Sequence, residues 1–304
     1  MFLEKPICEI TAETSDFYGR WGYDECENER VMAVAKQIEA PWLAKEHGMT
    51  TLVFEDDFDS YDTIDIHNTG DKGYKWYVER PYRFTSLTAG VDYKVENSIL
   101  TVCNVDHKWN YGMGTFHPRT KVGWSFCKGV LEFRLRLPNP KILECNNKRD
   151  GIPAVWSFPP SKITDEAMQW VEPDWLEYWD DGYWTTCVHD CRWDERKGPL
   201  SYRGTTNTRG LAGLNDYEWH TMTFLWDDGR IEAYLDGEKS MQLTYGEGKI
   251  DPPIRLGIGE PRPDTYWTLE WQPQTLILGG SQVAPLELDW IRVWQRPLKD
   301  VRDE

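Results

Sequence analysis

The chain has 304 residues, with 51 acidic against 34 basic side chains and a formal net charge of -17. This length allows one large domain or two small ones. The acidic balance argues against a nucleic-acid partner, because binding to phosphates requires a basic surface. It also disfavours binding to an anionic membrane surface. The sequence has no apolar run of about 18 residues, so insertion into a membrane is not predicted.

Residues 1–48 differ in pattern from the rest of the chain. Val31, Val34, Ala35 and Ile38 fall at helical spacing ahead of Gly48. We therefore predict a partly helical extension over 1–48, whose role the pattern does not indicate. The first residues lack the apolar segment of a secretory signal. The chain is thus expected to have no signal peptide, and the protein would be extracellular if a signal had been removed from it.

From Thr51 onward, short apolar runs alternate with turn signals such as Asp236-Gly237 and Gly279-Gly280. Strands that recur without strong helices between them form antiparallel sheets. We predict an all-β fold, a β-sandwich jelly roll of two antiparallel sheets, in one domain over 49–304. The eight clearest runs are TLVFEDDF, SILTVCNV, GVLEFRLRLP, PAVWSF, HTMTFLW, RIEAYLDG, QTLILGG and LELDWIRVW.

Aromatic side chains are abundant, with 17 Trp and 15 Tyr. Rings this common indicate either the core of a β-sandwich or a surface on which flat sugar faces stack, and both interpretations can hold together. The seven cysteines are scattered and odd in number, which argues against a disulfide framework.

The run GVLEFRLRLP alternates strictly between apolar and polar side chains. On a strand, residues two apart share a face, so the apolar set belongs in the core. The polar set faces either solvent or a bound sugar, and the pattern leaves both open. The apolar set is Leu131, Phe133 and Leu135, and the polar set is Glu132, Arg134 and Arg136.

The segment Glu172-Pro173-Asp174-Trp175-Leu176-Glu177 carries three carboxylates on a predicted strand. Glu172 and Asp174 are two residues apart and point the same way, whereas Glu177 would point to the other face. One extra residue, a β-bulge, would restore Glu177 to the face of the other two. Carboxylates on an exposed strand edge are also common without any catalytic role.

With the bulge, Glu172 and Glu177 lie about 13 Å apart along the strand. Glutamate side chains that lean inward close the separation of the carboxyl groups to roughly 5–6 Å, near the value for a retaining glycosidase. The hexapeptide therefore predicts a pair of catalytic carboxylates.

Taken in order, the segments between about 51 and 296 resemble glycoside hydrolase family 16. The resemblance rests on LVFEDDFDS, KVGWSFCKGVLEFRLRLP, GIPAVWSFPP, EPDWLE, EWHTMTFLWDDGRIEAYLDG and LELDWIRVWQ. It implies a concanavalin A-like jelly roll with a concave substrate cleft. The activity it implies is endo-acting, retaining cleavage of β-linked polysaccharide, either a β-1,3-glucan or an algal galactan such as agarose, porphyran or carrageenan.

The resemblance also implies roles for individual residues. Glu172 is the expected nucleophile, Glu177 the expected acid and base, and Asp174 the residue that orients Glu172 and whose charge helps to keep Glu177 protonated. Glu132, Arg134, Trp156 and His189 are expected to bind the sugar chain. Asp57 and Asp289 resemble residues of a structural Ca²⁺ site in some members, and catalysis itself is expected to require no cofactor.

One departure from the family pattern and two other classes of function stay open. Pro173 occupies a position that is usually aliphatic, and a proline removes a hydrogen bond from the sheet. A non-catalytic carbohydrate-binding protein, or a structural protein of a virion or surface, could use the same sandwich.

Cations in the segment after the catalytic strand could face sulfate esters or balance nearby acids in a surface loop. These cations are Arg192, Arg196, Lys197, Arg203 and Arg209.

Overall fold

A computed structural model describes most of the chain between residues 38 and 297. The described ranges are 38–81, 85–103, 112–137, 152–164, 170–178, 184–194, 198–209, 214, 216–227, 230–244, 273–280 and 284–297. For strand residues 189–194, 198–209 and 243–244 the description covers the backbone alone. The helical spacing of Val31, Val34 and Ala35 lies outside the described residues.

Eighteen strands dominate the described part of the chain, which confirms the all-β prediction. They are β1 (Thr51–Asp56), β2 (Ile64–Asp65), β3 (Trp76–Tyr77), β4 (Tyr93–Glu96), β5 (Ile99–Val102), β6 (Met113–Gly114), β7 (Phe116–His117), β8 (Val122–Gly123), β9 (Gly129–Arg136), β10 (Ala154–Trp156), β11 (Trp170–Tyr178), β12 (Trp184–Asp194), β13 (Gly198–Arg209), β14 (His220–Asp227), β15 (Arg230–Leu235), β16 (Glu238–Thr244), β17 (Ile277–Gly279) and β18 (Leu286–Gln295). The α-helices in the described residues are short: α1 (Trp42–Glu46) and α2 (Pro160–Ile163). None of them is long enough to cross a bilayer.

The strands form two large sheets. Sheet A has the order β16, β15, β14, β9, β18, β5, β4, with β1 paired to β18, and sheet B has the order β13, β12, β11, β10, β17, β6, β3, β2. Neighbours are antiparallel in both sheets, apart from the parallel pair of β2 and β3. Strands β7 and β8 form a small hairpin of their own. All eight predicted runs correspond to strands.

The main hydrophobic core lies between the two sheets. Leu131, Phe133 and Leu135 of β9 face it from sheet A, and Val155 and Leu176 face it from sheet B. Several tryptophans are completely enclosed, so much of the aromatic load belongs to the core, as one of the two sequence interpretations expected. They include Trp76, Trp175, Trp184, Trp226 and Trp294.

The end of the predicted N-terminal extension packs against the sandwich. Leu43 and Ala44 of α1 are buried in a second cluster with Val130, Leu225 and Trp294 of sheet A. Helix α1 ends before Gly48, whose φ of +66° is a conformation that glycine adopts readily. The described end of the extension therefore covers part of the outer face of sheet A.

The segment with the five cations is a strand hairpin, not a surface loop. Arg192 lies in β12, and Arg203 and Arg209 lie in β13, which pairs with β12 along most of its length. Arg196 and Lys197 lie outside the described residues. The expectation of a loop was wrong. The polar composition of this segment is typical of a loop, but the segment forms two long strands at the edge of sheet B.

A buried ion pair joins the two sheets at one end. Lys75, which precedes β3 of sheet B, is 1% exposed and donates to Glu55 Oε1 at 2.6 Å and to the Glu55 carbonyl oxygen at 2.5 Å. Glu55 lies in β1 of sheet A and is also buried. Beside this pair, Trp76 Nε1 donates to Asp56 Oδ2 at 2.8 Å. Each buried charge thus has a partner on the opposite sheet.

We expect Lys75→Met to lower the free energy of unfolding by about 3–5 kcal/mol, because it leaves the Glu55 carboxylate buried without its cation. The double variant Lys75→Met, Glu55→Leu should lose less than the single variant, since no uncompensated charge remains. Urea unfolding with an unchanged slope measures both. A loss below about 1 kcal/mol in the single variant would contradict this account.

Candidate active site

Strand β11 contains the predicted bulge. Against β10, Leu176 pairs with Val155 and Asp174 pairs with Trp156, so Trp175 is the extra residue. Against β12, Asp174 pairs with Cys187 and Glu177 with Thr185, which again leaves one residue too many in β11. The prediction of a bulge between Asp174 and Glu177 is confirmed.

The bulge sends two consecutive side chains into the core. Trp175 and Leu176 both belong to the main core cluster, although a regular strand would place them on opposite faces. Val171 also faces the core. Alternation on either side of the bulge therefore places Glu172, Asp174 and Glu177 together on the outer face of sheet B.

Hydrogen bonds and ring packing fix the bulge in place. Trp175 Nε1 donates to Ser157 Oγ at 2.6 Å, and Thr186 Oγ1 donates to the Trp175 carbonyl oxygen at 2.8 Å. The ring of Trp175 lies 5.8 Å from that of Phe224 and 6.3 Å from that of Trp226, both of sheet A. These contacts hold Trp175 against the opposite sheet, and they therefore fix the positions of the carboxylates beside it in the strand.

Burial differs among the three carboxyl groups. Glu172 is 7% exposed and Asp174 is 5% exposed, whereas Glu177 is half-buried. Burial raises the pKa of Asp174 well above its ordinary value, because the charged form loses its hydration. This favours the neutral form of Asp174. The raised pKa acts against the expected role of an Asp174 charge in keeping Glu177 protonated.

Pro173 fits the strand because it lies where the pairing stops on one side. It pairs with Val188 of β12, but the pairing with β10 ends at Asp174 and Trp156. Position 173 therefore has no ladder partner on the β10 side, so an N–H directed to that side can be absent without the loss of a sheet hydrogen bond.

Trp156 lies beside the carboxylates, in register with Asp174 on the neighbouring strand. It is 5% exposed and packs edge-on against Phe158, with ring centroids 4.7 Å apart. Together with Phe116 and Ile277 it forms a third cluster, separate from the core between the sheets. The structure thus places Trp156 on the face that carries the carboxylates, but largely covered by its neighbours.

His189 pairs in register with Glu172, so the backbone brings it to the catalytic strand. Its side chain lies outside the description. Two residues that the sequence analysis missed lie on the same strand: Cys187 opposite Asp174 and Thr185 opposite Glu177, both buried. The alternation of Thr185, Cys187 and His189 at a period of two would have identified them.

Glu132 and Arg134 are not brought to this site. Strand β9, which carries them, pairs with β14 and β18 in sheet A, whereas β11 lies in sheet B. The prediction that they share a surface with Trp156 and the carboxylates is wrong. The alternation of apolar and polar residues along β9 predicts which side chains face the core, but it does not predict which of the two sheets contains the strand. Glu132 accepts a hydrogen bond from Thr223, and Arg134 forms an ion pair with Asp289.

Asp57 and Asp289 each pair with an arginine, and the calcium site expected at them stays a prediction. Asp57 accepts from Arg292 at 2.7 Å and Asp289 accepts from Arg134 at 2.5 Å. Within the described ranges, no group of three or more His, Cys, Asp or Glu side chains is arranged to hold a metal ion.

No protein-family model and no curated protein matches the chain. Solved structures nevertheless share its fold. A variant of LamA from Z. galactanivorans, in complex with laminaritriose and laminaritetraose, is 16% identical, and the match covers 80% of this chain and 98% of that chain with a TM-score of 0.51. A laminarinase from Flavobacterium sp. UMI-01 is 18% identical, with 80% and 100% covered and a TM-score of 0.50.

An endo-acting O-glycanase of the human gut microbiota, from work on mucin breakdown, is 18% identical, with 82% and 91% covered and a TM-score of 0.50. At these identities the likeness establishes the fold. It confirms the predicted jelly-roll sandwich, and with it the resemblance of the sequence motifs at the level of the fold.

The raised pKa of Asp174 predicts a pH-dependent effect of Asp174→Asn. Below about pH 3 the carboxyl is protonated in both the folded and the unfolded chain, so its burial costs no charge. As pH rises toward the folded pKa, the unfolded chain ionises freely while the folded chain cannot, and the parent loses stability. Asparagine does not ionise. We expect the variant to melt above the parent at pH 7, by about 2–4 °C for each kcal/mol of cost removed. The difference between the two melting temperatures should shrink as the pH falls toward 4.

The melting temperatures of both proteins across pH 4–8 provide the measurement. The exposed Asp71 serves as the control, because Asp71→Asn removes a carboxyl that stays hydrated in both states. A variant that melts at or below the parent at every pH would show that Asp174 is buried as a stabilised anion.

Proposed function

We propose that this protein is an endo-acting glycoside hydrolase of the family 16 type, which cleaves β-linked polysaccharide with retention. The observation that carries the proposal is the bulge in β11, since it gathers Glu172, Asp174 and Glu177 on one surface of sheet B. A purely structural strand gains nothing from three clustered carboxyl groups, two of them buried. Two carboxyl groups in different environments are the requirement of glycoside hydrolysis.

The environments assign the roles. Glu172 is the more buried glutamate and lies in the middle of the sheet, which suits a nucleophile that must be held in one position. Glu177 is half-buried, which suits a group that exchanges protons with water. We assign to Asp174, which lies between them on the same face, the role of orienting the Glu172 carboxylate.

In the first step, a Glu172 oxygen bonds to the anomeric carbon as the glycosidic bond breaks, and Glu177 gives its proton to the departing oxygen. In the second step, Glu177 takes a proton from water, the water oxygen bonds to the anomeric carbon, and Glu172 leaves as a carboxylate. The protein ends in its starting protonation state. No step requires a metal or another cofactor.

A β-1,3-glucan is the proposed substrate class. LamA, which has the same fold, is seen with laminaritriose and laminaritetraose, and the net charge of -17 disfavours a polyanionic polymer. A reducing-sugar assay on laminarin, lichenan, agarose, porphyran, carrageenans and mucin O-glycans tests this choice. Release of sugars from laminarin or lichenan is expected. Activity confined to a sulfated galactan would show that the proposed substrate is wrong, while the proposed type of reaction would stand.

Replacement of either glutamate should abolish turnover of polysaccharide. We expect Glu172→Gln to lose activity on every substrate, because the amide cannot form the glycosyl–enzyme bond. Glu177→Gln should lose about 10²–10⁴-fold on polysaccharide but retain most of the first step on an aryl glycoside, whose leaving group needs no proton. Initial rates on laminarin and on an aryl β-glucoside oligosaccharide distinguish the two variants.

Glu46→Gln provides the control, since it changes the same residue type in α1, on the other sheet. Circular dichroism must first show that all three variants are folded. Activity on laminarin near that of the parent in either active-site variant would remove the assignment.

The stereochemical outcome is a separate expectation. Carboxyl groups about 5–6 Å apart leave no room for water between nucleophile and sugar, so the product should retain the configuration of the bond. Proton NMR of the earliest product is expected to show the β-anomer before mutarotation. An initial α-anomer would mean that the two groups are farther apart and that water attacks directly.

A further inference from the structure

The outer face of sheet A, opposite the carboxylates, carries a second group of aromatic side chains. The aromatic–arginine patch consists of Tyr217, Trp219, Trp290, Arg134, Arg136 and Arg292. Its arginines alternate along β9 and β18 with the core residues Phe133, Leu135, Ile291 and Val293. The patch therefore faces away from the core and from β11.

The rings are partly accessible and are held in place by guanidinium groups. Tyr217 is 49% exposed, and Trp219 and Trp290 are half-buried. The Arg136 guanidinium lies 4.8 Å from the ring centre of Trp219 and 5.2 Å from that of Tyr217, and Arg292 lies 4.2 Å from that of Trp290. Arginines stacked at these distances stabilise the orientation of the rings.

The charges of the patch are balanced. Arg134 pairs with Asp289, Arg136 with Glu287 at 2.6 Å, and Arg292 with Asp57 at 2.7 Å. No net positive charge is left among these arginines for a polyanion, and the chain as a whole repels one. Flat rings beside paired donors and acceptors complement a ligand that is uncharged, has apolar faces and carries many hydroxyl groups.

Tyr217 occupies a backbone conformation that its residue type disfavours. Its φ is +70°, in the left-handed region that glycine and asparagine adopt far more readily than an aromatic residue. Such a conformation costs about 1–3 kcal/mol and is concentrated at functional sites. A half-exposed tyrosine recovers little of this cost by burial, so its presence indicates a role for the exposed ring.

The arrangement of the rings suits an extended chain. Trp290 pairs in register with Arg134, which pairs on its other side with Thr221, two residues after Trp219. Trp290 and Trp219 are therefore about two strand spacings apart across the sheet and two residues apart along it, roughly 12 Å in all. This separation is comparable with the length of a disaccharide.

We infer that the aromatic–arginine patch is an accessory binding site for a neutral β-linked polysaccharide. The inference rests on the proposed function, because it takes the polymer that the carboxylates cleave as the ligand. Sugar faces stack on Tyr217, Trp219 and Trp290, and the paired arginines and carboxylates exchange hydrogen bonds with hydroxyl groups. The site lies on the sheet opposite the cleft, so it holds the polymer near the enzyme and takes no part in the chemistry.

Tyr217→Gly is the sharpest test, because it removes the ring while it relieves the backbone. We expect a melting temperature equal to or above that of the parent, together with weaker binding of laminarin or lichenan in native affinity gels. Tyr217→Gly with Trp290→Ala should raise the apparent Kd at least about tenfold. A Glu172→Gln background keeps the gel polysaccharide intact.

Trp42→Ala is the matched control, since Trp42 is also 49% exposed on the outer face of sheet A, in α1, where its ring meets Tyr234. It should be retarded like the parent. Equal retardation of the patch variants and the parent would overturn the inference, as would a parent that neither glycan retards. A dimer that the same substitutions dissociate in sedimentation would also overturn it, in favour of a second copy of the chain.

The inference and the proposed function can fail separately. If laminarin is hydrolysed but the patch variants bind like the parent, the accessory site is wrong and the enzyme stands. If no glycan is hydrolysed but the patch variants lose retardation, the protein binds polysaccharide through sheet A and the catalytic proposal fails.

Discussion

The arrangement of the candidate site depends on one extra residue in one strand. Without the insertion at Trp175, Glu177 would point into the core and its carboxyl group would be buried among aromatic rings. The contacts of the buried Trp175 side chain stabilise the bulge. Its ring packs against Phe224 and Trp226 of the opposite sheet, and its indole N–H donates to Ser157. Hydrophobic packing on one face of β11 therefore determines where the carboxyl groups lie on the other.

Two buried carboxyl groups in the sandwich, those of Glu55 and Asp174, are accommodated in different ways. At the end of β1, Glu55 is compensated by Lys75 from the other sheet, and the pair joins the two layers. At β11, burial raises the pKa of Asp174 instead, and the neutral acid is the form that the interior tolerates. The first arrangement contributes to stability only while both partners are present. The second raises the pKa of a carboxyl group that lies on the same outer face as Glu172 and Glu177.

The two outer faces of the sandwich have different characters. Sheet B gathers acidic groups beside a covered aromatic cluster around Trp156, whereas sheet A presents exposed rings stacked on arginines whose charges are matched. Under the proposed function and the inferred accessory site, a polymer long enough to reach both faces is bound at sheet A and cleaved at sheet B. Attachment through two sites raises the local concentration of substrate without any new contact at the cleft.

The periodicity of the sequence determined which segments are strands and which side chains face the core, because alternation with a period of two follows from backbone geometry alone. It also indicated the bulge, since only an inserted residue reconciles Glu172 with Glu177. It did not determine which strands become neighbours. Alternation alone therefore places Glu132 and Arg134 on the wrong surface and predicts a loop where β12 and β13 form a hairpin. Pairing of strands far apart in the chain is decided by how two whole sheets pack together, and this information is not present in any single segment.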